Sequence, residues 1–121
     1  ILFTNLLQLL VVLPSLAESC EGVSHTVTYG YRKPGDRLLI QDHIAESWKV
    51  LCYAKKDITY PLRGQDQVEE LTYIEIIDNY NNGHGGCPYI TEGGVGHNYV
   101  HIHIESQFCR GFDFEINIYG M

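Results

Sequence analysis

Between Tyr99 and Gly120 the chain writes the same alternation twice. In "YVHIHIE", Val100, Ile102 and Ile104 fall on one parity, and Tyr99, His101, His103 and Glu105 on the other. In "GFDFEINIYG", Phe112, Phe114, Ile116 and Ile118 alternate with Asp113, Glu115, Asn117 and Tyr119. Successive side chains of an extended chain point to opposite faces. A period of two therefore makes each run a strand with one face in a core and one in water. "LTYIEIID" extends the pattern with Ile74 and Ile76, and "SWKVLCYA" with Trp48, Val50 and Cys52. "HTVTYGYR" and "DRLLIQDH" are less regular strand segments, and "QDHIAESWKVL" suits either a strand or one helical turn. Turn chemistry separates these runs: "KPGD" at 33–36, "YPLRGQD" at 60–66, "YNNGHGG" at 80–86, "EGGVG" at 92–96 and "CRG" at 109–111. Glycine and asparagine supply positive φ there, and proline fixes φ at turn entry. Strands of about six residues with a turn every ten or so predict an all-β fold, a small antiparallel β-sandwich or barrel-like domain.

The domain is expected to begin after an N-terminal signal segment. Residues 1–17, "ILFTNLLQLLVVLPSLA", carry no charge and are too short for a membrane span, which needs about 20 apolar residues. Ser15 and Ala17 have the small-residue spacing of a signal cleavage site ahead of Glu18. No initiator methionine precedes Ile1, so the basic start of such a segment is expected upstream. Residues 18–121 then form one domain, large enough for a single modest core. All the charged residues lie in that part, with a formal net charge of −7. Such acidity speaks against direct nucleic-acid contact and against anionic membrane surfaces, both of which select basic patches.

Cys20, Cys52, Cys87 and Cys109 all fall after the predicted cleavage. An even set in a short secreted chain implies two disulfides, with three pairings open. A Cys52–Cys109 bridge would contribute about 4 kcal/mol by loop-closure entropy. Zinc through "HGGC", using His84 and Cys87, is the competing reading, but no Cys-x-x-Cys spacing supports it.

Chemistry beyond the cysteines is sparse. An EF-hand loop from Asp78 fails at its third and twelfth positions, which are Tyr80 and Tyr89. Asp78 is instead expected to bond nearby N–H groups, and Asn82-Gly83 to make a turn. His101 and His103 share a strand face and are the candidate metal ligands, with His97 joining only if the strand starts early. A tight site needs a third ligand that spacing does not supply, so a solvated sheet face is the preferred reading. No nucleophile elbow and no phosphate-cradling loop with lysine appears. Neither catalytic residues nor a cofactor are therefore assigned, and the expectation is a protein that is not an enzyme.

The ordered segments "YGYRKPGDRLL", "LTYIEIIDNYNNGHGG", "EGGVGHNYVHIHIESQ" and "RGFDFEINIYG" together resemble the insect multiprotein bridging factor two family over about residues 29–120. The resemblance rests on a Tyr-Ile strand ending in Asp, an Asn-Gly-x-Gly-Gly turn, a Gly-Gly-x-Gly corner and a closing Gly-Phe-x-Phe strand. The family takes its name from a transcriptional co-activator that, with bridging factor one, links a DNA-bound regulator to the general transcription machinery. Many relatives carry signal peptides and are described as salivary or otherwise secreted peptides of unknown role. The family pattern contains neither catalytic nor cofactor residues, and the four cysteines lie outside it.

Two functions follow as expectations. One is a secreted, non-enzymatic protein of salivary or haemolymph type that binds an extracellular partner protein or a small ligand; outward aromatics such as Tyr99 and Tyr119 are candidates for a recognition patch, with ordinary solvated strand residues as the preferred reading. The other is a nuclear co-activator that works through contacts with bridging factor one and general transcription factors. That second reading requires the N-terminal segment to escape secretion and the thiols to stay reduced.

Overall fold

A computed structural model describes Cys20 and residues 25–47, 52–62 and 69–121. The predicted signal segment, Trp48 and Val50 lie outside these residues. Seven strands appear: β1 Val27–Gly30, β2 Arg37–Glu46, β3 Lys55–Tyr60, β4 Leu71–Asp78, β5 Cys87–Gly93, β6 Val100–Glu105 and β7 Phe112–Gly120. They form two sheets, ordered β1-β4-β7-β2 and β3-β6-β5, with every pairing antiparallel. The described residues contain no helix, so the all-β expectation holds, and neither sheet closes into a barrel.

The two alternating runs that opened the sequence are the middle strands. β7 lies between β4 and β2, and β6 between β3 and β5. Phe112, Phe114, Ile116 and Ile118 from β7 face Val100, Ile102 and Ile104 from β6 across one core, and all seven are fully buried. Ile74 and Ile76 sit opposite Ile118 and Ile116 within the first sheet, while Ile58 and Ile90 flank Ile102 in the second. A central strand has neighbours on both sides and one dry face, so its alternation is strict. Edge strands carry more polar residues, which discourage pairing with another chain. That is the composition of β2 and β3, with Gln41, Asp42, His43, Lys55, Lys56 and Asp57.

Three expectations need adjusting. Cys52 does not continue a strand: its φ is +59°, and the strand begins only at Lys55. β5 occupies the interval between the two glycine-rich corners, where the sequence shows no strand alternation. It begins Cys87-Pro88 and shifts register between Ile90 and Glu92, so its polarity pattern is broken. The stretch 41–46, open to a helical turn, is the second half of β2.

Two buried polar contacts support the fold, one between the sheets and one at the end of β4. Tyr60 is buried on β3 and donates its hydroxyl to Asp42 on β2, linking the inner edges of opposite sheets. Burial, reinforced by this carboxylate, pushes the Tyr60 phenol well above its ordinary range. Asp78 ends β4, is 6% exposed, and accepts hydrogen bonds from the backbone N–H groups of His25 (3.1 Å) and Tyr80 (2.9 Å). Its expected role as a loop cap is what the structure shows. A Cβ on Gly85 would lie 1.9 Å from the Asp78 carboxylate, which accounts for glycine at that position of the loop.

Candidate functional site

A concavity among the described residues lies at one end of the sandwich, where the segments entering β3, β5 and β7 converge. It is a cleft of about 680 Å³, lined by Tyr53, Lys55, His84, Gln107, Phe108 and Arg110, with Cys20 and Ser106 behind them. Local pairing builds its floor. The Ser106 N–H donates to the Ala54 carbonyl (2.8 Å), and the Ala54 N–H donates to Ser106 Oγ (2.9 Å). Two residues before Ala54 and three after Ser106, the Cys109 N–H donates to the Cys52 carbonyl (2.8 Å), and the two sulfurs are bonded.

This bridge also aims the aromatic residues beside it. Cys52 and Cys109 both hold positive φ, +59° and +55°, a conformation that L-residues adopt only where neighbours enforce it. Tyr53 and Phe108, each next to a bridged cysteine, are thereby turned outward. They are 55% and 67% exposed, with ring centroids 5.6 Å apart in an edge-to-face arrangement. The Arg110 N–H donates to the Gln107 carbonyl (3.0 Å), closing a turn that sets Phe108 and Arg110 on the same lip. On the opposite lip, Gln107 Nε2 donates to the carbonyls of Gly83 (3.0 Å) and Gly85 (2.9 Å). The Asn82 side-chain oxygen accepts from the His84 N–H (2.9 Å), so the expected Asn82-Gly83 turn is present and presents His84 at the rim.

The second disulfide joins Cys20 to Cys87 at the start of β5. The two bridges select one of the three pairings left open by the sequence. They also engage all four sulfurs, and the histidine brought close to Cys87 is His25, not His84. Ligand atoms of Cys20, His25 and Cys87 lie within 4.8 Å of one another, but the two sulfurs are spent on each other and are not thiolates.

His101 and His103 lie side by side on the outward face of β6, as their parity requires. Register sets Asp57 of β3 on one side of His103 and Tyr89 of β5 on the other. Asp57 Oδ1 lies 2.7 Å from His103 Nδ1 and 3.3 Å from His101 Nε2, while Glu105 Oε1 lies 3.1 Å from His103 Nε2. Both nitrogens of His103 therefore face carboxylates, a charge network on the sheet surface and not an open pair of ligands. His97 lies in the loop before β6, its ring against Tyr99 at 5.8 Å, and does not join them. Tyr119 is half-buried beneath Arg32, whose guanidinium carbon stands 3.8 Å from the ring centre, whereas Tyr99 is 38% exposed.

The bonds to Glu105 and then Asp57 hold the His103 pKa above its ordinary value of 6.5, and the bond from His103 holds Asp57 below its ordinary 3.8. A raised histidine contributes stability that is complete below 6.5 and is lost as pH climbs through the folded-state value. A lowered aspartate contributes stability that is present above about 3.8 and is lost as pH falls through its folded-state value. The network is therefore fully stabilising between roughly pH 4 and 6.5. Denaturant midpoints for the native protein and His103→Gln should differ most in that window and converge above it. A difference that stays flat from pH 5 to 9 would refute this assignment.

Residues 29–120 match the family described as Transcription activator MBF2. The chain belongs to the MBF2 family. A relative from Bombus ignitus, described as "Probable salivary secreted peptide", is 34% identical over 99 residues, covering 80% of this chain and 70% of the relative. No solved structure matches. The MBF2 match starts at Tyr29 and so includes β2 to β7, three of the four cysteines and nearly all of the cleft lining, with Cys20 outside it. Sequence reasoning missed Tyr53, Phe108, Arg110 and Gln107 as a group. The available signal was an aromatic residue directly beside each of two cysteines, and it becomes informative only once those cysteines are paired.

Proposed function

We propose that this MBF2-family protein is secreted and acts without catalysis, binding a small extracellular ligand in the cleft beside the Cys52–Cys109 bridge. The observation that carries the reading is the bridge itself: it holds two exposed aromatic rings and a turn bearing Arg110 around one concavity. Two disulfides in a chain of this size suit an oxidising compartment. The description of the Bombus ignitus relative as a salivary secreted peptide points the same way. A volume of about 680 Å³ falls within the range of small-molecule sites.

The family description, Transcription activator MBF2, favours a second reading, in which the protein serves as a nuclear co-activator through protein contacts. In a reducing compartment the four cysteines would be thiols, the turn carrying Phe108 would lose its tether, and the cleft would not be fixed. Mass spectrometry of the protein from its native source, digested without reduction, separates the two. Cleavage at or near Glu18 with Cys20–Cys87 and Cys52–Cys109 peptides is the expected result. An uncleaved N-terminus with four free thiols would put the co-activator reading first.

A further inference from the structure

Three arginines fall among the described residues, and two have carboxylate partners. Arg32 bonds Asp36 (2.8 Å) while covering Tyr119, and Arg37 bonds Glu69. Arg110 has no side-chain partner among the described residues, although the chain as a whole is acidic at −7. It is exposed on the lip that also carries Phe108, facing a cleft whose other cation, Lys55, is shared with Glu105 at 3.7 Å. An unpaired guanidinium beside two exposed rings combines a planar donor fork with a flat apolar surface.

We infer that the cleft takes a small aromatic carboxylate, its ring lying against Phe108 and Tyr53 and its carboxylate on Arg110. The inference rests on the reading of the cleft as a ligand site and adds the class of ligand. A guanidinium fork matches the two oxygens of a carboxylate in one plane, and that match favours an anion of this shape over a neutral analogue. The edge-to-face pair of Tyr53 and Phe108 offers ring surface that a third aromatic ring can extend by the same offset or edge-on geometry. The charge of the ligand is limited to one. Glu105 stands in the same wall, and the field of a chain at −7 opposes the approach of polyanions such as nucleotides or nucleic acid. Size sets the other limit, since about 680 Å³ accommodates a one- or two-ring molecule and not a folded partner.

Indole-3-acetate and its uncharged analogue indole-3-ethanol provide matched probes, read by amide chemical shifts and titration of the oxidised protein. The acid should shift the amides of Tyr53, Phe108 and Arg110 and bind at least about tenfold more tightly than the alcohol, a ratio worth one charge-assisted contact. Arg110→Gln should erase that ratio while leaving the alcohol unaffected, and Phe108→Ala should weaken both probes alike. Both side chains are exposed, so neither variant threatens folding, and the melting temperature of each verifies it. Equal binding of acid and alcohol at the cleft would overturn the carboxylate assignment and leave the cleft as a ligand site. Shifts confined to other surfaces, or none from either probe, would overturn both.

Discussion

Replacing Cys52 and Cys109 together by alanine is expected to lower the free energy of unfolding by about 4 kcal/mol. The bridge joins residues 57 apart, and a loop of that length restricts the denatured chain by about this amount in the chain-entropy model. For a domain whose whole stability is on the order of 5–15 kcal/mol, this is a large fraction. The same variant should lose its response to ligand, because Tyr53 and Phe108 each sit next to one of the bridged cysteines and the bridge ties their two segments together. Cys20 and Cys87 are 67 residues apart, so by loop length alone their removal should cost a similar amount. Their loss should nevertheless leave the Tyr53–Phe108 pair in place. Urea unfolding of the two double variants, followed by probe titration, tests both halves. Similar stability losses with ligand response lost only in the Cys52–Cys109 variant is the expected pattern. A stability loss below about 1 kcal/mol would mean that the denatured chain is already restricted without the bridge.

Phe114→Ala is expected to be at least as damaging, at about 3–5 kcal/mol, because the cost adds a cavity to the lost transfer of the ring from water. Phe114 is fully buried on an inner strand of its sheet, 6.1 Å from the Phe112 ring, with Ile44 opposite on β2. The backbone of Gly86 runs close beside its ring, so the surroundings have little room to collapse inward. Tyr119, on the outward face of the same strand, provides the control. Its replacement by alanine removes contacts with Arg32 and Tyr73 at the surface and should cost far less. Equal losses for the two variants would mean that the inward parity of β7 does not define the core.

The parity argument is also where sequence reasoning was most effective. β6 and β7 were legible because a middle strand must alternate, and Val100 to Ile104 and Phe112 to Ile118 do so without a break. β2 was visible as "DRLLIQDH", but its inner face contains Asp42, and only the Tyr60 hydroxyl across the gap between sheets explains a carboxylate there. β5 was hidden because an edge strand with a proline and a bulge has no clean period. Cys52 departs from the strand its alternation suggests because local sequence gives no hint of its positive φ. The cleft was out of reach for the same reason. Its walls come from segments around residues 53, 84 and 108, joined by a pairing that three connectivities left equally open. The charge network around His103 was half legible: parity placed the two histidines, while Asp57 came from a strand whose partner only the register reveals.

The pattern of the two bridges has one more consequence, which concerns the integrity of the chain. The loops closed by Cys20–Cys87 and Cys52–Cys109 overlap, so every peptide bond between residues 20 and 109 lies inside at least one of them. A protease that nicks an exposed loop tip, such as residues 33–36, 79–84 or 94–98, adds one water to the molecule and releases nothing. Between residues 52 and 87 the loops coincide, and a cut there leaves the pieces tied twice. A single scission between residues 20 and 109 would thus leave one covalent body, its strands still paired around β6 and β7. Only a second cut between the same two neighbouring cysteines, or reduction of every bridge that spans the first cut, could set a fragment free.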